Sequence, residues 1–141
     1  NQIEVSKPFF NSIPEEKIDY RYAEGKWSIK EVLQHIIDSE RVFIYRALAF
    51  ARKETSVLPN MDENSYAANS NANSRNWKDL IDEFATVRDS TIHLYSSFSE
   101  SQLELSGRTV NYEMSVRALG YIIAGHLAHH VNILKERYLT D

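Results

Sequence analysis

The sequence predicts an all-α protein, a four-helix bundle with a long loop between its second and third helices. Three observations predict it. Three long segments carry apolar residues at mixed spacings of three and four, helix-capping patterns stand at segment starts, and only four Gly and three Pro interrupt the 141 residues. Helices with one apolar stripe each bury those stripes by packing together.

The first element is a short helix around Glu4–Asn11, after which Ser12, with Pro14 and Glu15 behind it, reads as another helix start. The first long helix opens at Ser28, where SIKE has the form of a capping box: Ser28 accepts from the third helical N–H and Glu31 reaches back. Ile29, Val32, Leu33, Ile36, Ile37, Val42, Phe43, Ala47 and Leu48 then form a stripe, placing the helix at 28–53. Residues 55–74 are rich in Asn and Ser, which favour turns and caps over regular ladders. A connection of that length is uncommon without a task, so it is a candidate lid or site wall.

The next helix runs from Asn76 to Ser97, its apolar members being Trp77, Leu80, Ile81, Phe84, Val87, Ile92, Leu94 and Tyr95. A short helical turn and a connection follow, with a brief extended piece at Thr109–Glu113. The last helix starts after Ser115, an N-cap, and continues to Tyr138.

Composition narrows the function classes. Apolar residues are 43% and charged residues 26%, the profile of one folded domain spanning 1–141. No apolar run approaches the roughly 18 residues that cross a bilayer, and NQIEVSKPFF lacks a signal peptide's layout; the expectation is a cytoplasmic protein without a membrane partner. The chain does not begin with Met, which fits a processed or trimmed N-terminus. A formal charge of −4 without a Lys/Arg stripe argues against nucleic-acid binding. Because the chain has no cysteine, disulfides, thiolate zinc sites and cysteine nucleophiles are excluded, and any metal must be held by His, Asp or Glu.

Three of the five histidines fall in YIIAGHLAHHV, residues 121–131. At about 100° and 1.5 Å per residue, His126 and His130 are about 40° apart and one turn apart in height, on the bearing of Leu119, Ile122, Ile123 and Ile133. Two polar rings on a buried stripe need partners, and i, i+4 histidines are a common way to build two legs of a metal site. The alternative is a pair of core or rim histidines satisfied by carbonyls or water. His35, among Val32, Leu33, Ile36 and Ile37, is the candidate third ligand if its helix runs antiparallel beside the pair. Three imidazoles would leave a position open, as catalytic sites do. The pair His126/His129, about 60° apart, is a geometric alternative, with His129 otherwise at the pocket edge; His93 is read as surface or structural.

GKWSIKEVLQHIIDSERVFIYRAL, the Asp/Asn-rich loop and AGHLAHHVNIL together resemble the DinB/YfiT-like superfamily of four-helix metal-binding proteins, from Tyr22 to Tyr138. The resemblance implies the metal triad His35, His126 and His130, a divalent ion such as nickel, zinc or iron, and a homodimer. It also implies a metal-dependent transferase of low-molecular-weight thiols acting on a small-molecule substrate. The other readings are a metal-dependent small-molecule hydrolase or isomerase, and a noncatalytic stress-associated metal-binding or interaction protein.

Metalloprotease chemistry is disfavoured, because Leu127 stands where HExxH has its glutamate. Di-iron chemistry is disfavoured too, because the Glu-x-x-His motifs it needs are absent. Glu31 and Asp38 are candidates to orient His35, against readings as a cap and a solvated acid. Asp62 and Glu63 could reach the open metal face or be simply exposed. Arg46, roughly 16 Å along the helix from His35, would bind an acidic substrate group or another helix. Trp27 is read as a staple or core residue. Ligand imidazoles must be neutral, so metal binding is expected to weaken below about pH 6.5.

Overall fold

The computed structural model describes residues 2–140. Its helices are α1 (Gln2–Asn11), α2 (Ile29–Ala51), α3 (Glu63–Ala68), α4 (Trp77–Ser97), α5 (Glu100–Leu103) and α6 (Val116–Ile133), with strands β1 (Ser106–Arg108) and β2 (Glu113–Ser115) between α5 and α6. The bundle consists of α1, α2, α4 and α6, with α2 packed between α4 and α6 and α1 against α4. No described helix is long and apolar enough to cross a membrane.

Capping chemistry sets the starts as the sequence predicts. Ser28 Oγ accepts from Glu31 N at 3.2 Å while Ser28 N donates to Glu31 at 3.1 Å, which closes the capping box. Asn76 and Ser115 cap α4 and α6 by accepting from the N–H groups of Asp79 and Ala118. The start predicted behind Ser12 shrinks to a 3-10 turn at Glu15–Lys17. Three stretches differ from the prediction. The 55–74 connection contains α3, which Asp62 caps by accepting from Ser65 N at 3.1 Å, and a 3-10 turn at Ala72–Ser74. The piece predicted as extended at Thr109–Glu113 is mostly the turn of the β1–β2 hairpin, whose strands lie on either side of it. Beyond Ile133 the last helix widens into a π turn, Leu134–Tyr138.

One apolar cluster joins Phe10, Leu33, Ile37, Leu80, Phe84 and Leu127, and a second joins Phe50, Leu58, Phe98, Val116 and Leu119. Along α4 the buried stripe continues from Phe84 and Val87 through Arg88 and Thr91, while Ile92 stays 40% exposed. The aliphatic stem and paired head of an arginine thus occupy a position where an apolar residue is expected. The hairpin closes the second cluster at Gly107, where a Cβ would stand 1.9 Å from Cδ1 of Phe50. Gly107→Ala is therefore expected to lower the urea midpoint, by about 1–3 kcal/mol of stability as overpacking costs; an unchanged midpoint would show that the hairpin lifts off freely.

Candidate metal centre

α2 and α6 bring His35, His126 and His130 together, with one ring nitrogen of each inside a group spanning 4.8 Å. His126 is the middle member: its Nε2 lies 3.0 Å from Nε2 of His35 and 3.1 Å from Nε2 of His130. The three ring centroids are 4.5 to 4.9 Å apart, and every pair meets edge to face. His35 is buried, with 3% of its surface exposed. His126 and His130 are half-buried. The fully buried line of α6 is Val116, Leu119, Ile123 and Leu127, so the pair flanks the core stripe and is not at its centre.

Burial is the main force on the titration of all three rings. Desolvation, with a smaller contribution from the neighbouring histidines, lowers each to about 4 from the usual 6.5. The rings are neutral at pH 7, which is the form that ligates a metal. Donors bound to one ion at about 2.0–2.1 Å stand roughly 3.0–3.4 Å from each other, so the two short Nε2 separations suit a shared ion. The donor set fits a divalent metal.

Ser39, one turn after His35, and not Glu31 or Asp38, is the polar side chain against the His35 ring. Its Oγ is 3.3 Å from His35 Nδ1 and 3.5 Å from His35 Nε2, so the hydroxyl lies beside the ring and not along one N–H, and it also reaches Met61 Sδ at 3.9 Å. Glu31 is committed elsewhere, to the cap and to an ion pair with Arg21 at 2.6 Å. Asp38 accepts from Gln34 at 3.0 Å, and its pKa is raised by burial. Arg46 donates to the Tyr112 hydroxyl at 2.6 Å and the Pro59 carbonyl at 3.0 Å, tying the chain after α2 to the hairpin. Asp62 caps α3 and Glu63 is exposed. His129 is exposed, with its ring 5.1 Å from that of His130, and it does not join the cluster; His93 is exposed on α4.

Trp27 packs against the first core cluster, and its ring lies against His35, tilted by 42° with 4.7 Å between centroids. Phe43 covers His126 at 5.6 Å. Among the described residues, the hydrogen-bond and ring neighbours of the triad outside itself are Trp27, Ser39, Phe43 and His129, and no carboxylate oxygen joins the cluster. Beside His130 a cleft of about 250 Å³ opens between Trp27, Tyr22, Lys26, Arg137 and Asn64 of α3. The long connection thus forms a site wall. A larger groove of about 450 Å³ between α4 and α6 has no histidine in its wall.

Sequence reasoning missed Ser39, Trp27 as a ring neighbour, and Asn64. Only Ser39 carried a signal, its i+4 spacing from His35; the others depend on how loops return to the bundle.

The arrangement has counterparts among known proteins. A protein of Oceanobacillus iheyensis named as a candidate metal-dependent hydrolase is 26% identical over 126 residues, 89% of this chain and 72% of its own. The solved structure of YfiT from Bacillus subtilis, described as a probable metal-dependent hydrolase with an unusual four-helix bundle topology, is similar at a TM-score of 0.75 and 16% identity. The match covers 95% of this chain and 83% of that one. A DinB-like protein, YjoA, of the same organism is similar at a TM-score of 0.64 and 20% identity, over 96% of this chain and 87% of that one. These two likenesses speak for the fold. The profile of the DinB superfamily matches residues 2–134, from the first turn of α1 to just past the last turn of α6, and the chain belongs to that superfamily.

Proposed function

We propose that His35, His126 and His130 hold one divalent metal ion and that the chain is a metal-dependent hydrolase of small molecules. The observation that carries this reading is the convergence of three neutral imidazoles, 3.0 and 3.1 Å apart at Nε2, beside a cleft. The names given to the Oceanobacillus protein and to YfiT support the reaction class. An ion held there would lower the pKa of water or a thiol and polarise a substrate oxygen. The chain's own residues do the remaining work. Ser39 packs its hydroxyl against the His35 ring, Trp27 and Phe43 cover the rings and exclude water from their sides, and the cleft beside His130 admits and orients the substrate. Nickel, zinc and iron, the ions implied by the resemblance, all accept imidazole donors.

One observation favours a second reading, the transfer of a low-molecular-weight thiol. Hydrolysis is helped by a general base that takes a proton from water, and among the described residues no carboxylate joins the triad. A thiol on a metal loses its proton without such a base. One folding unit over 1–141 and a homodimer belong to the same proposal, and the exposed Tyr121 and Ile92 beside the α4–α6 groove offer apolar surface for assembly.

The test begins with metal uptake by the stripped protein at pH 7.5 and 5.5. With ring pKa values near 4, uptake is expected to change less than about threefold, whereas ligands titrating at 6.5 would lose more than about tenfold. The sign follows from the neutral ring being the ligand: protons compete only as pH approaches 4, below the threshold expected from ordinary histidines. Loaded protein is then assayed on ester, amide and phosphoester panels. Turnover that disappears with a chelator and returns with the ion supports the hydrolase. A new near-ultraviolet band when cysteine or glutathione is added to cobalt-loaded protein would favour the thiol reading, and neither result would leave a noncatalytic metal-binding protein.

A further inference from the structure

We propose that the cleft beside His130 selects small molecules carrying an oxyanion group, carboxylate or phosphate, which Lys26 and Arg137 hold at its mouth. This rests on the metal reading only for the end of the molecule that reacts.

Among the described residues, the cleft wall contains two cations and no acid. Among the described residues neither Lys26 nor Arg137 has a carboxylate partner. Other cations at this end of the bundle are neutralised: Arg21 by Glu31 at 2.6 Å and Lys30 by Asp19 at 3.6 Å. Lys26 and Arg137 instead lean on one phenol. Arg137 Nη1 donates to the Tyr22 hydroxyl at 3.2 Å, and the Lys26 and Arg137 head groups stand 5.9 and 5.7 Å from the centre of its ring.

The pair is a product of tertiary folding, since its members are far apart in sequence. Lys26 lies in the loop before α2 and Arg137 in the π turn after α6, and the Tyr138 hydroxyl ties that turn to the Trp27 carbonyl at 2.7 Å. Two positive groups against one phenol, without a counter-ion among the described residues in a chain whose net charge is −4, attract an anion into the concavity they rim. The Tyr22 hydroxyl reports the same field: its pKa is lowered, first by the hydrogen bond from Arg137.

The rest of the wall limits the ligand's body. Trp27 contributes an aromatic ring and Asn64 of α3 a side-chain amide. At about 30 Å³ per water-sized group, a cleft of about 250 Å³ takes a molecule of roughly eight non-hydrogen atoms, with the anionic group reaching out at the rim. Its uncharged end would then lie toward His130.

The test uses metal-free protein, so that it does not depend on the ion, and follows the Trp27 indole and Gly25 amide signals by NMR during titration. Benzoate and phenyl phosphate are expected to bind about five- to tenfold more tightly than benzamide, the scale that two exposed charges support. Lys26→Gln with Arg137→Gln should bring the three probes to parity, while Lys53→Gln, at the far end of α2, should leave the preference intact. Equal binding in the wild type, shifts that map away from the cleft, or a preference that survives the double substitution would each overturn the proposal. A preference for only one of the anions would assign the group. Metal uptake by the same stripped wild type, measured separately, keeps the two readings apart: failure to take up a divalent ion sinks the triad and leaves the benzoate result standing.

Discussion

His126→Ala is expected to remove stoichiometric metal from the protein, with affinity falling at least about a hundredfold. The reason is its place in the triangle. Its Nε2 is within 3.0 Å of that of His35 and 3.1 Å of that of His130, so it is the ring through which the helices α2 and α6 share donors. Changes to groups that merely orient a ligand cost about 10–100-fold, and removing a donor outright must cost more. The chain should still fold, because His126 is only half-buried and Leu127 and Ile123 carry the core contact on either side. His129→Ala is the matched control: its ring is exposed and outside the cluster, and metal content should stay at the wild-type level. Elemental analysis after dialysis, with competition against a chromophoric chelator, reads both variants. If His126→Ala keeps its metal, the triad is wrong; if His129→Ala loses it, the i, i+3 pair is the better assignment.

The largest expected loss of stability comes from Arg88→Leu. Arg88 and Glu40 form an ion pair at 2.6 Å with 5% and 3% of their surfaces exposed, and Arg88 also donates to Gln2. Among the described residues, Glu40 Oε2 already lacks a hydrogen-bond partner. Removing the guanidinium strands a buried carboxylate, and breaking such a pair typically costs about 3–5 kcal/mol. The double variant Glu40→Leu with Arg88→Leu should recover most of this, because no charge is then left behind.

The pH dependence separates this account from simple loss of packing. Burial raises the pKa of Glu40 against the opposing pull of Arg88. A carboxyl with a folded-state pKa above its unfolded value binds protons more tightly in the folded protein. Its contribution to stability is therefore full below the unfolded value and is lost as pH rises through the folded value. Without Arg88 the folded pKa rises further. Urea melts of Arg88→Leu should show the deficit deepening from about pH 4.5 upward. A deficit that does not change with pH, or a double variant as unstable as the single one, would show that packing and not charge carries the loss.

Much of the fold was legible because it is written in short-range patterns. The 3–4 spacing of Ile29, Val32, Leu33, Ile36 and Ile37 needs only helix geometry to identify a buried face, and Ser28, Asn76 and Ser115 act within one turn of themselves. The strands and α3 were less legible. β1 and β2 are three residues each, too short to show alternation, and Gly107 is explained only by the ring of Phe50 lying against it. Ile92 and Arg88 illustrate the same limit: periodicity locates a face, but which of two adjacent positions is covered depends on the neighbouring helix.

By itself the sequence determined the helical class, the caps and the nature of the donors, because a chain without cysteine has only imidazoles and carboxylates to offer and places two imidazoles one helical turn apart. It also placed His35 on a buried face. Tertiary structure decided the rest. The packing of α2 against α6 brought His35 to His126 and chose His130 over His129. The π turn and the loop before α2 set Lys26 and Arg137 side by side at the cleft, and the return of the 55–74 connection made Asn64 its wall. The physical reason is range: a capping or i, i+4 relation is fixed by the backbone between its members, whereas a contact between residues ninety or more positions apart exists only once the apolar faces of separate helices have been packed together.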